Sequence, residues 1–129
     1  MEKYLIDTNI FLEILLNQEK KEKCKEYLNS KIKRIFISDF SLHSIGVILF
    51  RLEKNLAFDS FLNDLLPRIE LIGLPLKDYY TINLLSSNFK LDFDDAYQAA
   101  VAKSFGLTIS TMDKDFKRLV KVQKIEFLK

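Results

Sequence analysis

Lys3-Tyr4-Leu5-Ile6-Asp7 is a short β-rich run that stops on an acid, and Ile10 to Leu16 follows at once as an apolar helical stretch covering more than one face. A buried strand feeding a partly buried helix is half of a βα unit, and the pattern recurs outward from it. Lys20 to Asn29 is mostly charged, with Cys24, Tyr27 and Leu28 at helical spacing, and suits a helix exposed on most sides. Arg34-Ile35-Phe36-Ile37-Ser38 reads as a second strand, after which Ser41 suits the N-cap of an apolar helix reaching about Glu53. A helix from Ala57 to Leu66, halted by Pro67, precedes a third strand at Ile69-Glu70-Leu71-Ile72, and Pro75 fits the first turn of a helix through Tyr79, Ile82 and Leu85. Phe93-Asp94-Asp95 opens a helix that Gly106 terminates. Leu107 to Thr111 is a fourth strand and Lys124 to Leu128 a fifth.

Such alternation predicts an α/β domain, a parallel sheet with helices on both faces. Composition agrees: 129 residues, 48% apolar and 29% charged, give one domain over 1–129 with a core of its own. Three Gly and two Pro are too few for a turn-rich all-β sandwich. A single Cys, Cys24, excludes an internal disulfide, and with one His it excludes a structural zinc set, so a reducing compartment fits. The longest uncharged runs, Phe40–Phe50 and Tyr79–Phe89, have 11 residues each, short of the ~20 a bilayer span requires. Met1-Glu2-Lys3-Tyr4 carries no charged-then-apolar leader, and a cytoplasmic protein without a membrane partner is expected. The net charge of +2 does not mark a nucleic-acid binder, although Lys114, Lys117, Arg118, Lys121 and Lys124 follow an acidic middle and suit either a solvated face or a phosphate backbone.

Open parallel sheets carry their sites beyond the carboxyl ends of the strands. Asp7 closes the first strand, Asp113 lies just past the fourth, and Asp94 and Asp95 occupy the first turn of a helix. Each alone equally suits a cap or a turn. Brought to one rim they repel by ~3 kcal/mol per pair at ~6 Å and an effective dielectric of ~20, which a cation or raised pKa values must relieve. A set of hard oxygens selects Mg²⁺ or Mn²⁺.

Three stretches resemble the principal motifs of PIN domains, in order and spacing: Leu5-Ile6-Asp7-Thr8-Asn9-Ile10-Phe11-Leu12, Phe93-Asp94-Asp95-Ala96-Tyr97-Gln98-Ala99-Ala100-Val101-Ala102, and Ile109-Ser110-Thr111-Met112-Asp113-Lys114-Asp115-Phe116. The resemblance covers essentially the whole chain. It implies a three-layer α/β/α domain whose four or five parallel strands run in the order 3-2-1-4-5. It also implies a Mg²⁺- or Mn²⁺-dependent endoribonuclease like the VapC-type toxins of toxin–antitoxin pairs, with an RNA substrate and an antitoxin protein as partners. Asp7, Asp95 and Asp113 match the first, third and fourth acidic positions as catalytic and metal-binding residues. Thr111 matches the hydroxyl that precedes the last acid, Asn9 stiffens the loop around Asp7, and Asp94 and Asp115 are acidic neighbours able to serve through water.

The second acidic position departs from the pattern. PIN domains usually place a Glu there, three residues beyond a Ser or Thr cap, and this chain has Ser44. A hydroxyl holds water or ligates weakly and adds no charge, so cation affinity falls. His43 projects about 100° away from Ser44 on a helix; a packed or surface imidazole and a proton shuttle or phosphate contact both remain open. Asp39 is a conceivable substitute acid, or part of the helix cap. The apolar, aromatic stretch Ile45 to Leu66 exceeds what one small sheet obviously needs to cover it; core burial is the commonest use of such a stretch, and a homodimer or antitoxin-binding surface is the alternative.

A rival reading is a PIN-like module that lost efficient catalysis with its second acid and binds RNA or protein. A receiver domain expects an acidic pair near the first strand, where only Asp7 stands. Gly46, Gly73 and Gly106 lie too far apart for a P-loop or dinucleotide fingerprint.

Overall fold

Alternate residues of a strand face opposite sides of its sheet, and β1 (Tyr4–Ile6), β2 (Ile35–Ser38) and β4 (Thr108–Thr111) are buried on both. Tyr4, Ile6, Ile35 and Ile37 enter one apolar cluster, while Leu5, Phe36 and Ile109 enter the other. The computed structural model, which describes residues 1–129, completes the sheet with β3 (Glu70–Ile72) and β5 (Ile125–Phe127). All five strands are parallel, in the order β3-β2-β1-β4-β5, with Leu5 opposite Phe36 on one side and Ile109 on the other.

Four helices, α1 (Thr8–Leu15), α2 (Lys21–Lys31), α3 (Asp39–Arg51) and α4 (Asn55–Ser60), form one outer layer. Ile10, Phe11, Cys24, Leu28, Ile45 and Leu49 are their buried contribution, and Phe61, just past α4, packs edge-to-face on Phe11 at 5.5 Å. The other layer is α5 (Tyr80–Phe89) and α6 (Phe93–Phe105), whose Ile82, Ala96, Ala99, Ala100 and Val101 lie on the opposite face. The alanine run lets α6 approach the sheet closely. The fold is therefore the three-layer α/β/α arrangement, with the expected strand order and the fifth strand formed.

Local details differ from the sequence reading. Ser41 is not the cap of α3: Ser38 is, its Oγ accepting from Ser41 N at 3.0 Å, because β2 runs straight into the helix. The expected 57–66 helix is α4 followed by wider and tighter turns over Phe61–Leu65 and Leu66–Arg68. Pro75 precedes a single 3₁₀ turn, Leu76–Asp78, before α5. Gly106 ends α6 at φ +66°, as expected, but α5 ends on Lys90 at φ +56° without a glycine.

Strand order reverses between β1 and β4, so the connections leaving those strands diverge to opposite faces and open a crevice at their carboxyl ends. Asp7 and Asp113 flank it.

Candidate active site

Asp7 is the first residue past β1 and the N-cap of α1. Its Oδ1 accepts from Thr8 N at 2.8 Å, which satisfies one orphan amide of the helix end. Its Oδ2 accepts from Thr111 Oγ1 at 2.7 Å, and the same Thr111 oxygen accepts from Asp113 N at 2.9 Å. One hydroxyl thus ties the end of β1 to the loop after β4. Asp113 in turn caps the 3₁₀ helix Lys114–Leu119, accepting from Asp115 N at 2.9 Å.

These residues line a cavity of about 310 Å³ together with Thr8, Asn9, Ser44, Asp92, Asp94, Asp95 and Gln98, with Leu12, Phe40 and Ile48 as its apolar wall. All eight residues singled out from the sequence are near it; Thr111, fully buried, acts from behind through Asp7. The tightest convergence is Asp95, Asp113 and Asp115, whose carboxylate oxygens lie within 4.8 Å of one another. Asp115 joins because the chain turns as a 3₁₀ helix immediately after Asp113. Asp7 stands deeper, 7% exposed, with both oxygens engaged.

Burial pushes the Asp7 carboxyl above the usual aspartate range. Hydrogen bonds from Thr111 and Thr8 N–H oppose that shift, the Asp113 charge adds to it, and the Gln98 amide opposes it further. Asp95 is pushed up to about 7, first by burial and then by Asp113, Asp7, Asp115 and Asp94. The acids destabilise one another's charged forms, which is the electrostatic condition a divalent cation relieves.

The donor set fits a hard cation: carboxylate oxygens, with no sulfur or imidazole among the lining residues. Gln98 also lines the cavity from α6, and its enclosed Oε1 has no hydrogen-bond partner. Ser44 lines the cavity from α3 and adds a hydroxyl without a charge.

His43 does not line this cavity. It is exposed and lies on the neighbouring apolar groove with Leu42, Val47, Phe50 and Phe58. Asp39 is likewise outside it: its Oδ1 accepts from Tyr97 Oη and Phe40 N, both at 2.7 Å, and a Cβ on Gly73 would come within 2.8 Å of its Oδ2. It is therefore an exposed acid held by Tyr97 at the start of α3, outside the cavity, and not a substitute for the missing one. The basic tail divides, with Lys114, Lys117 and Arg118 in the turn beside Asp113 while Lys124 pairs with Glu2 at 2.7 Å near the start of the strands.

Sequence reading missed Gln98 and the hydroxyl network beneath the cavity. Gln98 Nε2 donates to Ser41 Oγ at 2.8 Å, and Ser41 Oγ lies 2.8 Å from Thr8 Oγ1. The available signal was the spacing of Asp95 and Gln98, three residues apart on one helix face.

No curated protein matches the chain in sequence. Among solved structures, the chain is similar to VapBC from Salmonella typhimurium bound to DNA (23% identity, TM-score 0.76, 98% of each chain covered). It is also similar to VapBC2 from Rickettsia felis, bound to a fragment of its promoter DNA (20%, TM-score 0.77, 96% of this chain and 97% of that one). A third is VapC20 of Mycobacterium tuberculosis, a Sarcin-Ricin loop cleaving toxin (17%, TM-score 0.71, 89% and 93%). Identities this low show a shared fold. The family model of the PIN domain matches residues 4–122, and with the strand order and the acidic crevice already described, the chain belongs to the PIN domain family.

Proposed function

We propose that this protein is a metal-dependent endoribonuclease acting as the toxin of a toxin–antitoxin pair, working as one domain in the cytoplasm. The observation that carries the reading is the convergence of Asp95, Asp113 and Asp115 in front of the buried Asp7. Asp7, Asp95 and Asp113 would hold Mg²⁺ or Mn²⁺, with Asp115 close enough to join Asp95 and Asp113, and Asp94 and Ser44 at the margin. A cation bound there lowers the pKa of an attacking water and offsets charge on the scissile phosphate.

The chain's own residues position and polarise. Thr111 fixes one Asp7 oxygen and the Asp113 backbone together, so that the two acids keep one spacing. Asn9 lines the mouth above Asp7, and Lys114 and Lys117 offer exposed cations for an RNA backbone leaving the crevice. Solved relatives described as toxin–antitoxin complexes support a protein antitoxin as partner. The exposed Phe50 and Leu56 near the groove of α3 and α4 suit a homodimer or that antitoxin.

One observation favours a second reading, a PIN module that binds RNA or protein with weakened catalysis: Ser44 faces the cavity without a charge. RNA cleavage assayed in Mg²⁺, Mn²⁺ and chelator, with Asp7→Asn in parallel, separates the two. The nuclease reading expects cleavage by the wild type alone and only with metal. RNA binding in chelator without cleavage under any condition would favour the binding module.

A further inference from the structure

An open hollow of about 410 Å³ beside the acidic cavity is lined by Phe40, Tyr79, Phe93 and Tyr97, together with Asp39 and His43. Every apolar side chain in that lining is aromatic, and no lysine or arginine takes part. Tyr97 is the hub: the Phe40, Tyr79 and Phe93 rings have centroids 5.8, 6.1 and 6.2 Å from it, Phe93 stacked at 26°. Tyr97 is 4% exposed and fixed at its hydroxyl, which donates to Asp39 Oδ1 at 2.7 Å and accepts from Leu74 N at 3.1 Å. The outer rings are held by this hub without being covered, Phe93 being 57% exposed and Tyr79 42%. Rings left that far in water contribute little to the core, so packing alone does not account for them.

Two features join the hollow to the acidic cavity. Phe40 lines both. Phe93 stands between Asp92 and Asp94 at the start of α6, and both of those acids line the cavity. The surroundings also define the occupant. Asp39 in the lining, with Asp92 and Asp94 flanking Phe93, disfavours a phosphate and favours a flat, uncharged group that carries N–H donors. A nucleobase has that chemistry, and aromatic side chains take bases by stacking. The neighbouring groove, by contrast, mixes Leu42 and Val47 with its rings, as a surface for protein side chains does.

We propose that Phe93 and Tyr79, backed by Tyr97, form a stacking platform for one unpaired base of the RNA, close to the nucleotide whose phosphate enters the acidic cavity. The inference rests on the RNA reading above and narrows its substrate class to single-stranded or looped RNA, because only an unpaired base has a face free to stack.

The chain has no Trp, so F93W carries its only indole, and emission from that ring reports a base stacked on it. The full chain is titrated with a short single-stranded RNA of mixed sequence in CaCl₂, the strand's integrity being checked on a gel. RNA should quench F93W emission, and an abasic strand of the same length should not. F93L keeps apolar bulk without the ring. By anisotropy of the end-labelled strand it should bind about 5- to 100-fold more weakly than wild type, the loss expected for one stacked base. Its calorimetric affinity for Mn²⁺ and its thermal midpoint should match the wild type's. Wild-type RNA affinity in F93L, or RNA bound by F93W without quenching, overturns the proposal and leaves the hollow to a protein partner. An equal fall in Mn²⁺ affinity also overturns it, since Phe93 would then be a support of the acids. If F93L fails to fold, quenching in F93W decides on the same criterion. Absence of RNA binding by the wild type overturns the RNA reading together with this proposal, a result distinct from the others.

Discussion

Thr111 Oγ1 donates to Asp7 Oδ2 at 2.7 Å across the switch point of the sheet, between two residues that are both buried. The bond joins residues 104 positions apart, and the same oxygen receives Asp113 N. Thr111→Val keeps the shape and removes the donor. It should destabilise the protein by about 1–3 kcal/mol in urea unfolding, whereas Thr111→Ser should cost less than half of that. Equal losses in the two variants would assign the effect to packing.

Stability in chelator should depend on pH with a definite sign. Asp95 sits at about 7 in the folded chain, against about 3.9 unfolded, so the folded state binds its proton more tightly. Its ionisation opposes folding: stability is greatest below about pH 4, falls as pH rises toward about 7, then levels. Asp7, raised by burial, acts in the same direction. Thermal midpoints in EDTA should decline over that interval and Asp95→Asn should flatten the decline. A rising midpoint would contradict the assignment.

Ser44→Glu should place a carboxylate on the α3 wall of the cavity. Mn²⁺ should then bind roughly tenfold more tightly, about 1.4 kcal/mol, and the metal-free protein should melt lower. Calorimetry showing unchanged or weaker binding would remove Ser44 from the second acidic position.

Two helix ends offer a paired test of backbone strain. Gly106 at φ +66° has open space where a Cβ would stand, so Gly106→Ala should cost about 1–2 kcal/mol through the backbone alone. Lys90 at φ +56° already bears that strain, and Lys90→Gly should stabilise by about 1 kcal/mol. Chemical denaturation of both variants measures the contrast.

The order of strands and helices was legible because alternation of short β-rich runs with longer helical ones has few physical solutions. Gly106 was readable as a helix stop, while Lys90 was not, since no glycine marked its left-handed turn. Ser41 looked like a cap because a serine stood before an apolar helix, yet β2 enters α3 without a loop and Ser38 takes that role. At the site, Asp7, Asp95 and Asp113 could be singled out from strand ends and motif spacing. The approach of Asp115 depended on a 3₁₀ turn that spacing does not specify. Gln98 was hidden for a different reason: inside a helix, a polar side chain reads as a solvent face until its neighbours are known to be buried.

Anomalous diffraction from crystals soaked in MnCl₂ tests most directly whether the crevice between β1 and β4 is a cation centre. We predict manganese density within coordination distance of the Asp95 and Asp113 carboxylates, inside the cavity that Asp7 and Gln98 line. An empty crevice at saturating Mn²⁺, or density confined to acids elsewhere on the surface, would contradict the nuclease proposal.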